Sequence, residues 1–182
     1  DEIVKLAHEA NEYDKQKNTT IRNFVQTIFS ASGAQIDNVV ASNNKRACNL
    51  FRRLNVQRCT YSLGNGITFA QEETKKKLGD DFDTRIKTGA YKALIHGVSF
   101  LFLNMDRIHV FPVTEFAPLY DEMTGALCAG VRYWRLAADK PSTAVLYEED
   151  GYTVYTAEKS MEYVETEPKR AYKLTVSKAE AD

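Results

Sequence analysis

The chain has 182 residues, of which 43% are apolar and 27% charged, with a formal net charge of -1. A chain of this length can bury a core as one domain without a disulfide or a metal, and its composition is far from that of disordered proteins. Cys48, Cys59 and Cys128 make an odd number without a Cys-x-x-Cys pair, which predicts free thiols and no zinc or redox site. No apolar run is long enough for a membrane helix and no signal peptide is recognisable, so we expect a soluble protein without a membrane partner.

The charge of the chain is weakly polarised. Residues 1–70 hold nine Lys and Arg against six Asp and Glu, whereas the remainder holds fifteen against nineteen. Nucleic-acid binding by counterion release needs a concentrated basic stripe, and neither part provides one. Because Asp1 is not a methionine and helical spacing of apolar residues begins at Ile3, we expect the native chain to continue upstream.

Helical spacing of apolar residues dominates the first half of the chain. Residues 2–12 predict a short amphipathic helix. Residues 21–28 predict a second helix, which begins after capping side chains at 18–20 and ends at Gly33. Residues 43–61 predict a third helix. The apolar arc of this third helix holds Ala47, Leu50, Phe51, Leu54 and Tyr61.

The third helix also has a basic face, formed by Lys45, Arg46, Arg52 and Arg53. Such a face can contact phosphate or a protein partner, but solvated charged faces are common on helices, and we favour that interpretation. The glycines at 64–66 follow the helix and predict a sharp turn. A phosphate-binding loop leads from a strand into a helix, which is the opposite order, so we do not expect a nucleotide here.

Two further helices precede a change of period. Residues 71–78 predict a short charged helix, and residues 80–96 predict a helix with carboxylates at its start. Gly97 lies where a left-handed residue ends a helix. After Gly97 the apolar period falls from 3.6 to 2, which is typical of strands. The predicted strands are 98–103, 107–112, 115–120, 127–136, 144–148, 152–157, 161–166 and 170–176.

The connections between these strands are short. Residues 121–125 and 149–151 carry hairpin signals, and connections of this length require antiparallel neighbours. The sequence therefore predicts an α+β fold, with N-terminal helices followed by an antiparallel β-meander. We expect one domain over residues 1–176, helical over 1–97 and sheet over 98–176, and a frayed tail at 177–182.

No group of residues has the pattern of a catalytic, cofactor or metal site. His8, His96 and His109 are scattered; we interpret His96 as a helix C-terminal residue, favourable to the helix dipole if protonated, and His109 as a surface residue. The carboxylates at 80–83 and 148–150 are explained by a helix start and a hairpin tip. Ser99 and Ser160 lack a nucleophile signature. We therefore predict no catalytic, cofactor-binding or metal-binding residue and no enzyme activity.

The predicted sheet is rich in tyrosine. Stacking platforms for single-stranded nucleic acid place aromatic residues beside basic ones, whereas most neighbours here are acidic. Strand propensity and cross-strand packing explain the aromatic residues better. They are Tyr120, Tyr133, Trp134, Tyr147, Tyr152, Tyr155, Tyr163 and Tyr172.

Three segments together carry a resemblance to a known family. The first is Asn-Gly-Ile-Thr-Phe at 65–69, after a helix; the second is the helix at 90–100, which passes through Gly97 into a strand; the third is 111–121, with its Pro112 and its Tyr-Asp turn. The strand at 127–134 continues the pattern. In this order the segments resemble the portal proteins of long-tailed bacteriophages, and the resemblance covers roughly residues 20–157.

The resemblance implies a non-enzymatic subunit of a ring, usually of twelve copies, at one vertex of a viral capsid. DNA would be packaged through this ring by a terminase, which holds the ATPase, and later ejected. The implied partners are other copies of the chain, capsid and scaffold proteins, the terminase, head-tail connector proteins and duplex DNA in the channel. The implied location is the virion, and the host cytoplasm during assembly.

The stem, clip, tunnel loop and crown of the family have no matching residues in this chain. The sequence therefore resembles the N-terminal wing region only, and no residue is assigned a DNA contact. We expect this piece alone to stay monomeric or weakly associated. An α+β ligand- or protein-binding module unrelated to phages is the alternative, with a pocket lined by sheet aromatics. A hydrolase is the weakest candidate, because no nucleophile and base can be named.

Overall fold

The computed structural model describes residues 2–104, 107–157 and 162–172. The helices are α1 (Glu2–Asp14), α2 (Thr19–Asn23), α3 (Leu50–Leu63), α4 (Glu72–Lys77) and α5 (Phe82–His96). The strands are β1 (Thr27–Phe29), β2 (Gln35–Asp37), β3 (Ser99–Asn104), β4 (Arg107–Pro112), β5 (Phe116–Tyr120), β6 (Leu127–Arg135), β7 (Ser142–Tyr147), β8 (Gly151–Ala157) and β9 (Tyr163–Ala171). The predicted α+β class is confirmed.

Helix α5 is the centre of the helical part. Both α1 and α3 pack against it, and Cys59 of α3 is buried there with its thiol donating to the carbonyl oxygen of Lys87 at 3.4 Å. Helix α5 ends at His96, and Gly97 follows in the left-handed conformation with φ of 82°. The predicted helix and its glycine stop are therefore confirmed, since both follow from local spacing and from the ability of glycine to adopt positive φ.

The predicted second helix is wrong beyond Asn23. Asn18 does cap α2, because its side chain accepts a hydrogen bond from the amide of Ile21 at 2.9 Å. Phe24 is already extended, and the chain continues into the β1–β2 hairpin, which turns at Gly33. The apolar residues that gave helical spacing do not face the core formed by the described residues: Phe24 is 59% exposed. We call residues 24–40 the arm.

The third helix begins at Leu50, seven residues later than the predicted start at 43. Side chains from the preceding segment bond backward instead: Asn43 donates to the carbonyl oxygen of Phe24 at 3.0 Å, and Lys45 to that of Arg22 at 2.8 Å. The predicted apolar arc is also wrong as a core face. Within α3 the residues turned inward are Phe51, Asn55, Cys59 and Leu63, whereas Leu50, Leu54 and Tyr61 are exposed.

The antiparallel strands form separate sheets rather than one meander. Strands β3 and β4 pair with each other and pack on α5, while the remaining strands form a five-stranded sheet in the order β5-β6-β7-β8-β9. The predicted hairpin at 121–125 is confirmed: Asp121 accepts hydrogen bonds from the amides of Met123 and Thr124. The predicted strands 161–166 and 170–176 are one strand where the structure describes them, because β9 runs through from Tyr163 to Ala171. Met161, residues 173–176 and the predicted tail at 177–182 lie outside the described residues.

Proline lies within both edge strands of the five-stranded sheet. Pro118 is in β5, and Pro168 is in β9, where the register with β8 shifts. Proline has no N–H for a ladder bond and is confined to such edges and bulges. Buried side chains on the facing sides of the β3–β4 hairpin and this sheet include Phe111, Phe116 and Val145.

Candidate functional site

A cavity of about 760 Å³ lies between the β3–β4 hairpin and the five-stranded sheet. Cavities of this size are typical of ligand sites. Aromatic rings and nitrogen-bearing side chains form most of its wall. The lining residues are Phe102, Asn104, His109, Arg132, Val145, Tyr147, Tyr152, Arg170, Ala171 and Tyr172.

Arg132, on β6, is held in the cavity by two aromatic rings and an ion pair. Its guanidinium carbon lies 4.6 Å from the ring centroids of both Phe111 and Trp134, so the guanidinium is held between two π faces. Its Nη2 lies 3.5 Å from a carboxylate oxygen of Glu115. Its Nε is buried without a hydrogen-bond partner among the described residues. A buried donor of this kind is costly unless something else bonds to it.

The aromatic wall is continuous. Phe102 lies 4.8 Å from Tyr147 and 5.7 Å from Tyr172, and Tyr152 lies 6.4 Å and 6.1 Å from the same two rings. Burial raises the pKa of Tyr147, so its phenol stays protonated at neutral pH and can donate. Tyr172 donates to the carbonyl oxygen of Glu148 at 2.7 Å. The wall therefore offers flat apolar surface with O–H donors at its rim.

His109 faces this cavity and is half-buried, which corrects its interpretation as a surface residue. Burial lowers its pKa, and the positive charges of Arg85, Arg132 and Arg107 lower it further. The imidazole is therefore neutral at pH 7. Over the described residues, no three His, Cys, Asp or Glu side chains are grouped so that they could hold a metal ion.

The described lining of the cavity offers charged and aromatic groups to a ligand. Two arginines line it, and no carboxylate does among the described residues, so it suits a planar anion or a carboxylate better than a cation. Ser99 lies elsewhere and donates to the carbonyl oxygen of Gly89 at 2.8 Å. Ser160 lies outside the described residues. The cavity thus lacks the nucleophile-and-base pair that covalent catalysis needs.

Four of the carboxylates that the sequence drew attention to, Asp81, Asp83, Glu148 and Asp150, form ion pairs. Asp81 accepts from Arg85 at 2.8 Å, and Asp83 pairs with Lys75 and accepts from the amide of Ile67. These hydrogen bonds lower the pKa of both carboxyl groups, which are therefore ionised at neutral pH. At the other end of the chain Lys169 bridges Glu148 and Asp150, at 3.0 and 2.6 Å. These carboxylates shape surface turns and do not converge on one point.

A polar junction joins α1 to α5. His96 shares a hydrogen bond of 3.0 Å with Asn11, and Tyr91 donates to Asp14. His96 is the last residue of α5, as predicted, but it is only 8% exposed and burial lowers its pKa. The favourable interaction of a protonated His96 with the helix dipole is therefore not realised at pH 7. Burial, followed by the bond to Asp14, raises the pKa of Tyr91 to about 12.

The sequence suggested a pocket lined by sheet aromatics only for the alternative of a module unrelated to phages, and it predicted neither the position of the cavity nor its arginines. Its members come from six segments between β3 and the residue after β9, and no two arginines or tyrosines have a spacing that implies a shared wall. The available signal was the alternation of β6, where Arg132 and Trp134 lie on the same side of a strand. A basic residue next to a tryptophan at period 2 predicts a cation–π pair.

Comparison with known proteins identifies a family for this chain. The family model described as phage portal protein, SPP1 Gp6-like, matches residues 3–176. No curated protein matches the chain. No helix within the described residues has the length and hydropathy to cross a membrane. Because the matched residues span nearly the whole chain, this chain belongs to the SPP1 Gp6-like family of phage portal proteins.

Proposed function

We propose that the chain is the N-terminal wing region of a portal ring subunit, and that DNA enters and leaves a phage head through the assembled ring. The family match over residues 3–176 carries this proposal. The wing would fold as one unit over residues 1–176 and contribute no catalytic group. The described residues hold ion pairs and a binding cavity but no converging nucleophile and base, which agrees with a structural role.

The proposal includes the partners of a portal. Copies of the same subunit would complete the ring, capsid and scaffold proteins would surround it, and the terminase and head-tail connector proteins would bind its two ends. Duplex DNA would pass through the channel without contact to any residue identified in this chain. The subunit would reside in the virion, after assembly in the host cytoplasm.

Electron microscopy tests this function directly. The protein as its gene encodes it, purified and negatively stained, should form rings with a central channel. A phage whose copy of the gene is inactivated should yield heads without DNA, and a plasmid copy should restore them. A protein that stays monomeric at high concentration, or heads that fill normally without it, would contradict the proposal.

A second role is suggested by the cavity at Arg132. Family membership argues against a module unrelated to phages, but a portal subunit can also hold a ligand. Benzoate, a planar carboxylate, serves as a probe: millimolar benzoate should raise the melting temperature of the wild type and leave that of Arg132→Leu unchanged. Arg53→Leu, on α3 and away from the cavity, is the matched control and should keep the rise. An equal rise in all three proteins would exclude binding at Arg132.

A further inference from the structure

The arm, residues 24–40, exposes apolar side chains that no described element of the chain covers. Its two strands pair with each other and make few other contacts among the described elements. Single exposed apolar residues are ordinary, but a contiguous group of them marks a binding surface. The exposed fractions are 59% for Phe24, 42% for Ile28, 77% for Phe29, 46% for Ile36 and 91% for both Val39 and Val40.

Hydrogen bonds within the arm fix its conformation. Gln35 donates from its side chain to Thr27 across the hairpin at 2.8 Å, and the amide of Ser30 bonds to the carbonyl oxygen of Ala34 at the same distance. Asn38 accepts from the amides of Val40 and Ala41, which fixes the turn that follows β2. An arm ordered in this way loses little conformational freedom when it binds.

The apolar side chains and the low charge of the arm fit a protein surface. Ile28 and Ile36 are cross-strand partners on one face of the hairpin, whereas Phe29 points to the other face, so the arm presents apolar side chains on both of its faces. Asp37 is the one charged residue between 24 and 40. DNA phosphates are bound by Lys and Arg, and residues 24–40 contain neither, so this surface does not suit DNA.

A second apolar surface lies on the outward side of α3. Leu50, Leu54 and Tyr61 are 58%, 56% and 94% exposed. Offsets of four and eleven residues bring all three to one side of a helix, since each residue turns the helix by about 100°. The inward side of the same helix is occupied by Cys59 and its neighbours. Helix α3 therefore carries apolar side chains on two opposite sides, of which the described part of the chain covers one.

Two different apolar surfaces are what a ring subunit requires. A head-to-tail interface joins unlike patches, and repetition of that contact closes a ring. We propose that the arm of one subunit packs on the outward side of α3 of the next subunit, with Val39 and Val40 against Leu54 and Tyr61. This inference rests on the proposed portal function and adds to it the surfaces that join neighbouring subunits.

The test uses the protein as its gene encodes it, with sedimentation velocity as the measurement. In the arm variant, Val39→Asp is combined with Val40→Asp; in the helix variant, Leu54→Asp is combined with Tyr61→Asp. Each should lose the ring and sediment as a monomer. The control combines Met123→Asp with Leu136→Asp, residues that are 95% and 85% exposed but lie outside both surfaces. The control should assemble as the wild type does.

A mixture of the two variants gives the sharpest result. The arm variant keeps the wild-type surface of α3, and the helix variant keeps the wild-type arm. The arm of a helix variant can therefore pack on α3 of an arm variant, but no further subunit can be added to this pair. The mixture should therefore form dimers, whereas each variant alone stays monomeric. Circular dichroism and melting temperature, measured on every variant, confirm that the monomers are folded.

Each other outcome overturns the inference in a recognisable way. If the arm variant still forms rings, the arm does not join subunits. If the arm variant dissociates but the helix variant assembles, the arm binds a surface other than α3. If the mixture remains monomeric although both variants are folded, the two surfaces do not contact each other. A wild type that forms no ring would instead contradict the portal function itself.

Discussion

Gly130→Ala should destabilise the sheet, because the space beside Gly130 is filled by the ring of Phe116. A Cβ at this position would approach the ring Cζ far inside contact distance and Cε2 at 2.8 Å. Carbon atoms pack at about 3.5–4.0 Å, so the ring would have to move by about 1 Å. Phe116 is 8% exposed and its centroid lies 4.5 Å from that of Phe100, which leaves it little room.

The magnitude follows from two opposing effects. Overpacking a well-filled core costs about 1–3 kcal/mol, whereas replacing glycine by alanine recovers about 0.4–1 kcal/mol through the unfolded chain. The net loss in the free energy of unfolding should be about 1–2 kcal/mol. For a chain of this size that corresponds to a fall in melting temperature of roughly 3–6 °C. Differential scanning calorimetry measures it directly.

A double-mutant cycle separates the steric cause from a general weakening of β6. Phe116→Leu removes the ring atoms that the new methyl would meet, and alone it should cost about 1–2 kcal/mol. Combined with Gly130→Ala, the total loss should be smaller than the sum of the single losses by about 1 kcal/mol. Additive losses, or an unchanged melting temperature in Gly130→Ala alone, would refute the steric argument.

Three further predictions concern single side chains. Burial keeps the folded pKa of His96 below its unfolded value. The stability that the neutral imidazole contributes is therefore present above about pH 6.5 and is lost as the pH falls. Between pH 7.5 and 5.5, urea unfolding should show a larger fall in the free energy of unfolding in the wild type than in His96→Gln. Tyr91 has a folded pKa of about 12, so its stabilisation is present below pH 10 and is lost between about pH 10 and 12; Tyr91→Phe should weaken that alkaline loss. Arg132→Ala should lower the free energy of unfolding by about 1–2 kcal/mol through its two cation–π contacts, whereas Glu115→Ala should cost at most about 1 kcal/mol, because its ion pair is long and partly exposed.

Each of these has a contrary result. An equal acid loss in the wild type and His96→Gln would assign the pH dependence to another group. An unchanged alkaline profile in Tyr91→Phe would mean that Tyr91 is not the ionising phenol. Equal losses for Arg132→Ala and Glu115→Ala would indicate that the ion pair, not the aromatic stack, holds the guanidinium.

Local signals predicted most of the strands and the helix that ends at Gly97. Strand alternation, the hairpin at 121–125 and the left-handed Gly97 depend on neighbouring residues, so the sequence suffices to predict them. The helix predicted over 21–28 was wrong for a different reason. Periodicity arguments assume that a row of apolar residues faces the chain's own core, whereas residues such as Phe24 and Ile28 are exposed.

The cavity depended on information that periodicity does not carry. Its wall requires β3–β4 to stand apart from β5–β9 and to face it, and nothing in strand alternation predicts where a meander divides. The burial of His96 also could not be predicted from periodicity. Its position at a helix end follows from the sequence, but its pKa depends on α1, which packs across it from far away in the chain.

The prolines within the two edge strands limit strand pairing between separate copies of the chain. Pro118 and Pro168 interrupt the free edges of the five-stranded sheet, and Lys169 and Arg170 add charge to one of them. An edge strand without proline would present unpaired N–H and C=O groups, through which separate copies could pair and aggregate. Blocked edges leave side-chain surfaces as the route of association. The edges of this sheet therefore disfavour strand-to-strand aggregation even when the protein is concentrated.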